Sequence, residues 1–560
     1  MNIKTRIAVG FACVLSTGAS LAATDVEIAA AVATDTVRPV RQGGVDGQAY
    51  WNGKSVAFLY PPSFDFVKVD AAVRYRYVLE DDARNVTRFE SATPNETLAR
   101  VWAQLPTGMY RLEVLGINKR GKVEGLAGYR KFWKSAAFCP YACPKGVCGY
   151  AEASTKYFDW LFEMENTKSY LEKGRPDENY SYNAFPCKTD AAVVNAFVSY
   201  AQLRPERKDA ALTVARRAAD HLLSLMMPAD APLAHFPHTY RILHPESGFG
   251  EKDQQANKVA KMYAGMNMIV YPAGVGNALL NLYGAVREEK YLTAAVNIAE
   301  TYAKLQGEDG TWYLKLWEKD GSPVASNRLF PLAVCNFLEK LYEVTGNGKY
   351  RAMSDRAFAY VEKGPLSDWN WEAQFEDVEP SKRYRNLTVH TPVATAIHLL
   401  KRYPNDLKRR ALARECLRFA EDQFVFWKPP FRADGTGPIF GDTPMINCST
   451  AADFFDVPGA YEQYDWYLPI DSSAAKMISG YLAFYRVEGQ AVDLAKARAL
   501  GDAITVMQEK HGKNGGIPTH WVRWEVGAAT QPWINCGIGT ANVLKSLSEV
   551  ADTTPAGTRN

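Results

Sequence analysis

The sequence predicts a mainly α-helical protein with a small β-rich unit at its N-terminus. Three observations lead there: a change of hydrophobic period near residue 150, helical segments that recur in pairs, and loops after the pairs that repeat one aromatic pattern. At 560 residues the chain is well beyond the roughly 250–300 at which a single hydrophobic core stops growing. Two domains or one large ring are therefore expected.

The first stretch, "MNIKTRIAVGFACVLSTGASLAA", runs from Lys4 and Arg6 through apolar residues to small ones around Ser20 and Ala22. That is the layout of a cleaved export signal over residues 1–22, and it predicts a secreted or periplasmic protein. Cys13 lies inside this leader without the small-residue run that a lipid anchor needs. The apolar stretch is shorter than the ~20 residues of a membrane span, and no later segment is long and uncharged enough to be one.

Residues 30–135 hold "SVAFLY", "RYRYVLE", "ARVWAQL" and "MYRLEVLGIN", short alternating runs separated by "PPS", "TPNE" and "LPTG" turns. They predict a small β-sandwich. The stretch "LPTGMYRLEVLGINKRGK" resembles the late strands of fibronectin type III-like modules, a resemblance of architecture.

Residues 150–550 are predicted to be helical. "DAAVVNAFVSYAQL", "ALTVARRAADHLLSL", "VGNALLNLYGAV", "YLTAAVNIAETYAKL" and their successors place apolar residues at helical spacing, about a dozen times. Turn signals such as "RPERKD", "REEKY" and "TGNGKY" join the helices two by two, with a period of roughly 50–65 residues that indicates stacked helical hairpins. The segments "LQGEDGTWYLKLW" and "MQEKHGKNGGIPTHWVRW" both leave a helix through a Gly-rich turn and enter an aromatic, strand-like run. On this pairing and the "DGTW" loop the chain resembles the six-hairpin glycosidase-like superfamily. The resemblance implies an (α/α)6 toroid of helical hairpins, a sugar-binding cleft built by loops at one end, and an activity among glycoside hydrolases, polysaccharide lyases and sugar epimerases. The expected partner is a poly- or oligosaccharide.

Residues that meet a substrate have to leave the packed scaffold, so three loops carry the candidate chemistry. In "NWEAQFEDVEPSKRYRNLTVH", Trp371, Glu376 and Asp377 precede Arg383 and Arg385, and His390 enters the next helix. In "GAYEQYDWYLPIDSSAAKM", Glu462, Tyr464, Asp465 and Trp466 precede a helix for which Asp471 reads as the N-cap. "GGIPTHWVRWEV" brings His520, Trp521, Arg523 and Trp524. The plainer reading of Glu376 and Asp377 is an ion pair with Arg383 or Arg385. His398 and His221, on apolar helix faces, read as core histidines.

Glycosidic cleavage needs a protonated acid for the leaving oxygen and a carboxylate that activates water or attacks the anomeric carbon. Asp465 with Glu376 or Asp377 is the expected pair, and a separation of about 6.5–9.5 Å would predict inversion. Trp371, Trp466, Trp521, Trp524 and His520 are expected to line the sugar, with Arg383, Arg385 and Arg523 reading a uronate carboxylate. A lyase would use Tyr464 or His390 as base against a uronate α-proton. A glycan-binding protein without catalysis is the third reading.

A net charge of +3, with 47% hydrophobic and 23% charged residues, gives no reason to expect a nucleic-acid partner. No spaced Asp/Asn loop of the EF-hand type is present, and neither a metal nor another cofactor is expected. "CPYACPKGVC" brings Cys139, Cys143 and Cys148 together as a local disulfide, as free thiols, or as a metal knuckle that lacks a fourth ligand at zinc-finger spacing.

Overall fold

The computed structural model describes residues 24–244, 255–377, 382–430, 454–464, 466–523 and 533–551. The export signal expected over residues 1–22 lies outside them. Helix α1 (Asp25–Asp35) opens the described chain with a capping box between Thr24 and Glu27.

Strands β1 (Ala57–Phe58), β2 (Arg74–Asp81), β3 (Val86–Ser91), β4 (Gly108–Ile117) and β5 (Val123–Lys134) form one sheet in the order β1-β5-β4-β2-β3. Only β1 runs parallel to its neighbour. The alternation in "RYRYVLED" sets the faces: Tyr75, Tyr77 and Leu79 are buried, while Arg74 and Arg76 both pair outward with Glu90. Tyr77 stacks on its cross-strand partner Phe89 at 4.5 Å. The expected sandwich is not what the described residues form here. They make a single sheet, and its buried face closes on Trp102 of the short helix α2 (Ala99–Trp102) and on Phe64, both packed against Phe132. A sheet this small has its apolar face covered by one helical turn and a loop, so no second layer is required.

The helical region is built from hairpins. Helices α3 (Tyr150–Phe162) and α4 (Glu165–Lys173) precede α5 (Pro186–Leu203), α6 (Lys208–Ser224), α7 (Gln255–Met262), α8 (Tyr271–Val286) and α9 (Glu289–Leu305). Then come α10 (Leu332–Thr345), α11 (Gly348–Lys363), the short α12 (Pro365–Asp368), α13 (His390–Arg402), α14 (Leu407–Phe424), α15 (Asp471–Glu488), α16 (Ala491–His511) and α17 (Ile534–Ala551). The pairs α5/α6, α8/α9, α10/α11, α13/α14 and α15/α16 pack as hairpins, and α17 closes on α3. The first member of each hairpin touches the next, α5 to α8 to α10 to α13 to α15 to α17, and α17 returns to α5. This is a closed inner ring with an outer layer, the toroid expected from the helix pairing.

Sequence explains the close approaches and the stops. A Cβ on Gly276 of α8 would lie 2.3 Å from Phe337 of α10, so the two inner helices meet over a bare backbone. Gly346 and Gly489 end α10 and α15 in the left-handed conformation, and Asp406 caps α14 through the amides of Lys408 and Arg409. His398 is core, stacked on Phe358 at 4.3 Å, and His221 is held by Asp190 at 2.6 Å. Cys139, Cys143 and Cys148 stand as free thiols, with Cys143 Sγ directed at the Cys139 carbonyl.

Short strand pairs decorate the ring: β6 (Met266–Met268) with β7 (Lys315–Trp317), and β8 (Val425–Phe426), β9 (Gly459–Gln463) and β10 (Trp466–Pro469) in a three-stranded sheet. None of the described helices is long and apolar enough to cross a membrane.

Candidate active site

Residues 370–377 and 382–390 pair with each other. Glu372 bridges Leu387, the Thr388 amide donates to the Trp371 carbonyl at 3.0 Å, and the Ala373 amide donates to Asn386 at 2.9 Å. The outgoing limb then bridges β9, Thr388 against Gln463. One narrow ladder therefore carries three segments, and it leads directly into α13.

The aromatics of this stretch are anchors. Trp369 and Trp371 are fully buried, meet edge to face at 5.6 Å and both pack on Phe419 of α14. Tyr384 donates to the Asp368 carbonyl at 2.6 Å, and Arg383 pairs with Asp368 at 2.7 Å. Gln374 bonds the backbone of Arg328 and Phe330 and ties the loop to the entry of α10. With both ends pinned, Glu376 is carried over the end of the ring where the inner helices begin.

Glu376 is 3% exposed. Lys188, in the first turn of α5, donates to its Oε1 at 2.5 Å, and Tyr271, the first residue of α8, donates to its Oε2. Tyr240 donates to the Glu376 carbonyl at 3.0 Å. Burial pushes the Glu376 carboxyl up, but Lys188 and the Tyr271 hydroxyl outweigh it and hold it below the usual range. Asp377 moves the other way: its residue keeps exposed surface, yet desolvation by the surrounding protein and the charge on Glu376 raise its carboxyl. The expected pairing of Glu376 with Arg383 or Arg385 is replaced by the ion pair with Lys188, from a helix on another part of the ring.

Glu462 faces the same charges from β9. Its carbonyl accepts from Thr388 Oγ1 at 3.0 Å, which fixes the residue beside the start of α13. Burial lifts its carboxyl to about 7, against the pull of Lys188 and with support from Asp377 and Glu376. His390, first residue of α13, meets the edge of Phe375 at 5.7 Å and is pushed down to about 3 by burial, Lys476 and Lys188. Lys476, in the second turn of α15, is lowered by burial to about 8. Asp471 is the first helical residue of α15, and the cap position belongs to Ile470. Asp471 is fully buried, accepts from Thr540 at 2.9 Å and is lifted by burial to about 8. Trp533, before α17, forms an aromatic corner with Tyr182 at 5.5 Å and His520 at 5.1 Å, and Lys188 lies over its ring at 5.9 Å.

The structure thus brings Glu376, Asp377, His390 and His520 to one end of the ring, together with Lys188, Tyr271, Glu462 and Lys476. Glu462 was in view in the sequence but had no role there, and Lys188, Tyr271 and Lys476 were not singled out. The available signal was a polar side chain in the first two turns of a predicted inner helix. Tyr464 is placed differently: the residue is 1% exposed, and its hydroxyl is shared between Ser55 at 2.7 Å and Gln423 at 2.5 Å. Trp521 is likewise buried and donates to the Pro518 carbonyl. Arg383 and Arg385 lie exposed on the loop, and Arg523 stacks over Phe455 at 4.6 Å. Asp465, Trp524 and the side chain of Trp466 lie outside what is described.

No protein-family model and no curated protein matches this sequence. Solved structures similar to the chain include a family 76 glycoside hydrolase from a bovine Bacteroides thetaiotaomicron strain, at 10% identity over 86% of this chain and 94% of that one, TM-score 0.43. The cellobiose 2-epimerase of Spirochaeta thermophila is 12% identical over 68% of this chain and 89% of its own, TM-score 0.45. An unsaturated glucuronyl hydrolase from Streptococcus agalactiae is 13% identical over 72% and 90%, TM-score 0.42. Likeness at this level decides neither reaction nor substrate.

Proposed function

We propose that the protein is an exported glycoside hydrolase acting on a poly- or oligosaccharide, with Glu462 as general acid and Asp377 as its carboxylate partner. One observation supports this above the others: carboxyl groups at a single mouth of the ring are driven to different protonation states. Glu462, near 7, is half protonated at neutral pH and suits delivery of a proton to the leaving oxygen. Asp377, exposed and more basic than an ordinary aspartate, suits activation of water or attack at the anomeric carbon. Glu376 stays ionised between Lys188 and Tyr271 and acts as a positioning residue for Asp377, its chain neighbour. Trp533 and Tyr182 supply a half-buried aromatic corner for a sugar face. The leader over residues 1–22 supports export.

The test is release of reducing ends from a panel of glycans. Glu462→Gln and Asp377→Asn are each expected to lower kcat by about 10²–10⁴-fold, the range for a positioned proton-transfer group. Full activity in both variants would overturn the assignment.

A lyase or epimerase is the second reading, and one observation favours it. His390 is held uncharged beside Lys476 at the same mouth, which suits removal of a proton next to a sugar carboxylate. A lyase creates a conjugated double bond that absorbs in the ultraviolet, whereas a hydrolase does not.

A further inference from the structure

The N-terminal sheet is joined to the ring by a line of buried polar groups that ends in the ladder carrying both candidate carboxylates. Ser55 lies just before β1, and its carbonyl is held by Arg130 of β5 at 2.7 Å. Tyr464 gives its hydroxyl proton to Gln423 Oε1 at 2.5 Å, so Ser55 Oγ is the donor in the 2.7 Å contact with Tyr464. Gln423 in turn donates to Asp422 Oδ2 at 2.6 Å. Asp422 Oδ1 accepts the amides of Leu59 and Tyr60, at 2.6 and 2.8 Å, which returns the line to the N-terminal unit. Ser55, Tyr464, Gln423 and Asp422 are all at least nine-tenths buried.

Tyr464 directly follows β9, two residues from Glu462. Its own amide donates to the Leu387 carbonyl at 2.8 Å, in the limb that bridges Glu372. Tyr464 is therefore the point where the line from the sheet meets the ladder that places Glu462 and, through residues 372–377, Asp377. Its ring is stacked on Tyr467 at 5.5 Å and packed on Phe424 at 5.6 Å, so removing the hydroxyl alone leaves the apolar contacts in place.

We infer that the N-terminal sheet is a working part of the catalytic unit, and that Ser55, Tyr464 and Gln423 are positioning residues through which it sets the ladder bearing Glu462 and Asp377. The inference rests on the hydrolase reading for its effect on turnover, and on geometry alone for its effect on the ladder. Buried polar lines of this kind lose more than one bond when a member is deleted, because the partners left behind stay desolvated.

The experiment compares Ser55→Ala and Tyr464→Phe with Tyr110→Phe in the full chain. Tyr110 also donates from a buried position in the sheet, to the Pro106 carbonyl at 2.9 Å, but it lies off this line. Amide hydrogen exchange is expected to speed up about tenfold over residues 386–389 and 459–464 in the first two variants and to stay unchanged in the third. On a hydrolysed glycan, kcat is expected to fall about tenfold with KM unchanged, and the alkaline limb governed by Glu462 to move. Unchanged exchange over those residues in Ser55→Ala, or an equal change in Tyr110→Phe, overturns the inference. If the wild-type protein cleaves no glycan, the hydrolase reading fails while the exchange comparison still decides this one.

Discussion

Lys188 Nζ and Glu376 Oε1 meet at 2.5 Å although 188 positions of sequence separate them. The contact ties the first turn of one inner helix to the loop that precedes another, and Tyr271 on a third inner helix completes the grip. Three segments of the ring thus fix one carboxylate, and the next residue in the chain, Asp377, is exposed.

Deleting the cation is expected to cost more than the bond itself. Lys188→Met leaves the Glu376 carboxylate buried and unpaired, a loss of roughly 2–4 kcal/mol once the partial exposure of Lys188 is allowed for. Adding Glu376→Gln should recover part of it. Because the folded pKa of Glu376 is depressed, its contribution is present above the usual value of 4.5 and fades as pH falls below that. Denaturant unfolding of wild type and Lys188→Met at pH 7 and pH 3.5 checks both points: the gap should narrow at the lower pH.

Glu462 carries the opposite sign. Its folded pKa is raised, so the stability it contributes is complete below about 4.5 and is lost as pH rises through about 7. Glu462→Gln should flatten the decline in stability across that window. In the wild type, kcat/KM should fall above about pH 7, as the acid loses its proton, and a pH–rate profile measures the midpoint.

Trp371 separates a scaffold role from a sugar-binding one. Its side chain is fully buried against Trp369, Phe330 and Phe419, so Trp371→Ala is expected to destabilise the fold by about 3–5 kcal/mol. Trp371→Phe, which keeps much of that packing, should leave KM within about twofold, since the ring has no surface in the cleft. A thermal melt and a KM determination decide it.

His390 distinguishes the two reactions. Under the hydrolase reading, His390→Gln should keep hydrolysis within about tenfold of wild type, because the imidazole is not in the proton path. A loss of a hundredfold or more, with product absorbing in the ultraviolet, would move the assignment to a lyase.

The helices were legible because each has to bury an apolar stripe, and a stripe at helical spacing is written locally in segments such as "ALTVARRAADHLLSL". The turn signals between them marked the hairpins for the same reason. The loop 370–390 was legible as unusual, but its parts were misleading. Tryptophans beside carboxylates suggested a sugar cleft, while the structure uses Trp369 and Trp371 to anchor the loop on α14. Arg383 and Arg385 are near Glu376 in sequence, yet Lys188 is near it in space. The sheet shows the same limit: alternation in "RYRYVLED" marks a strand with one buried face and says nothing of what covers that face, which is a turn of helix and a loop in place of a second sheet.

Local chain chemistry specifies a repertoire: paired helices, a β-rich unit before them, and acid-bearing loops between. These depend on periodicity and turn chemistry within a few residues. Which charges share one mouth is set by how the ring closes. Lys188, Tyr271, Glu376 and Glu462 come from four separate segments, and closing the ring brings them together out of water. Protonation states follow from distance and burial, and neither is encoded by neighbours along the chain.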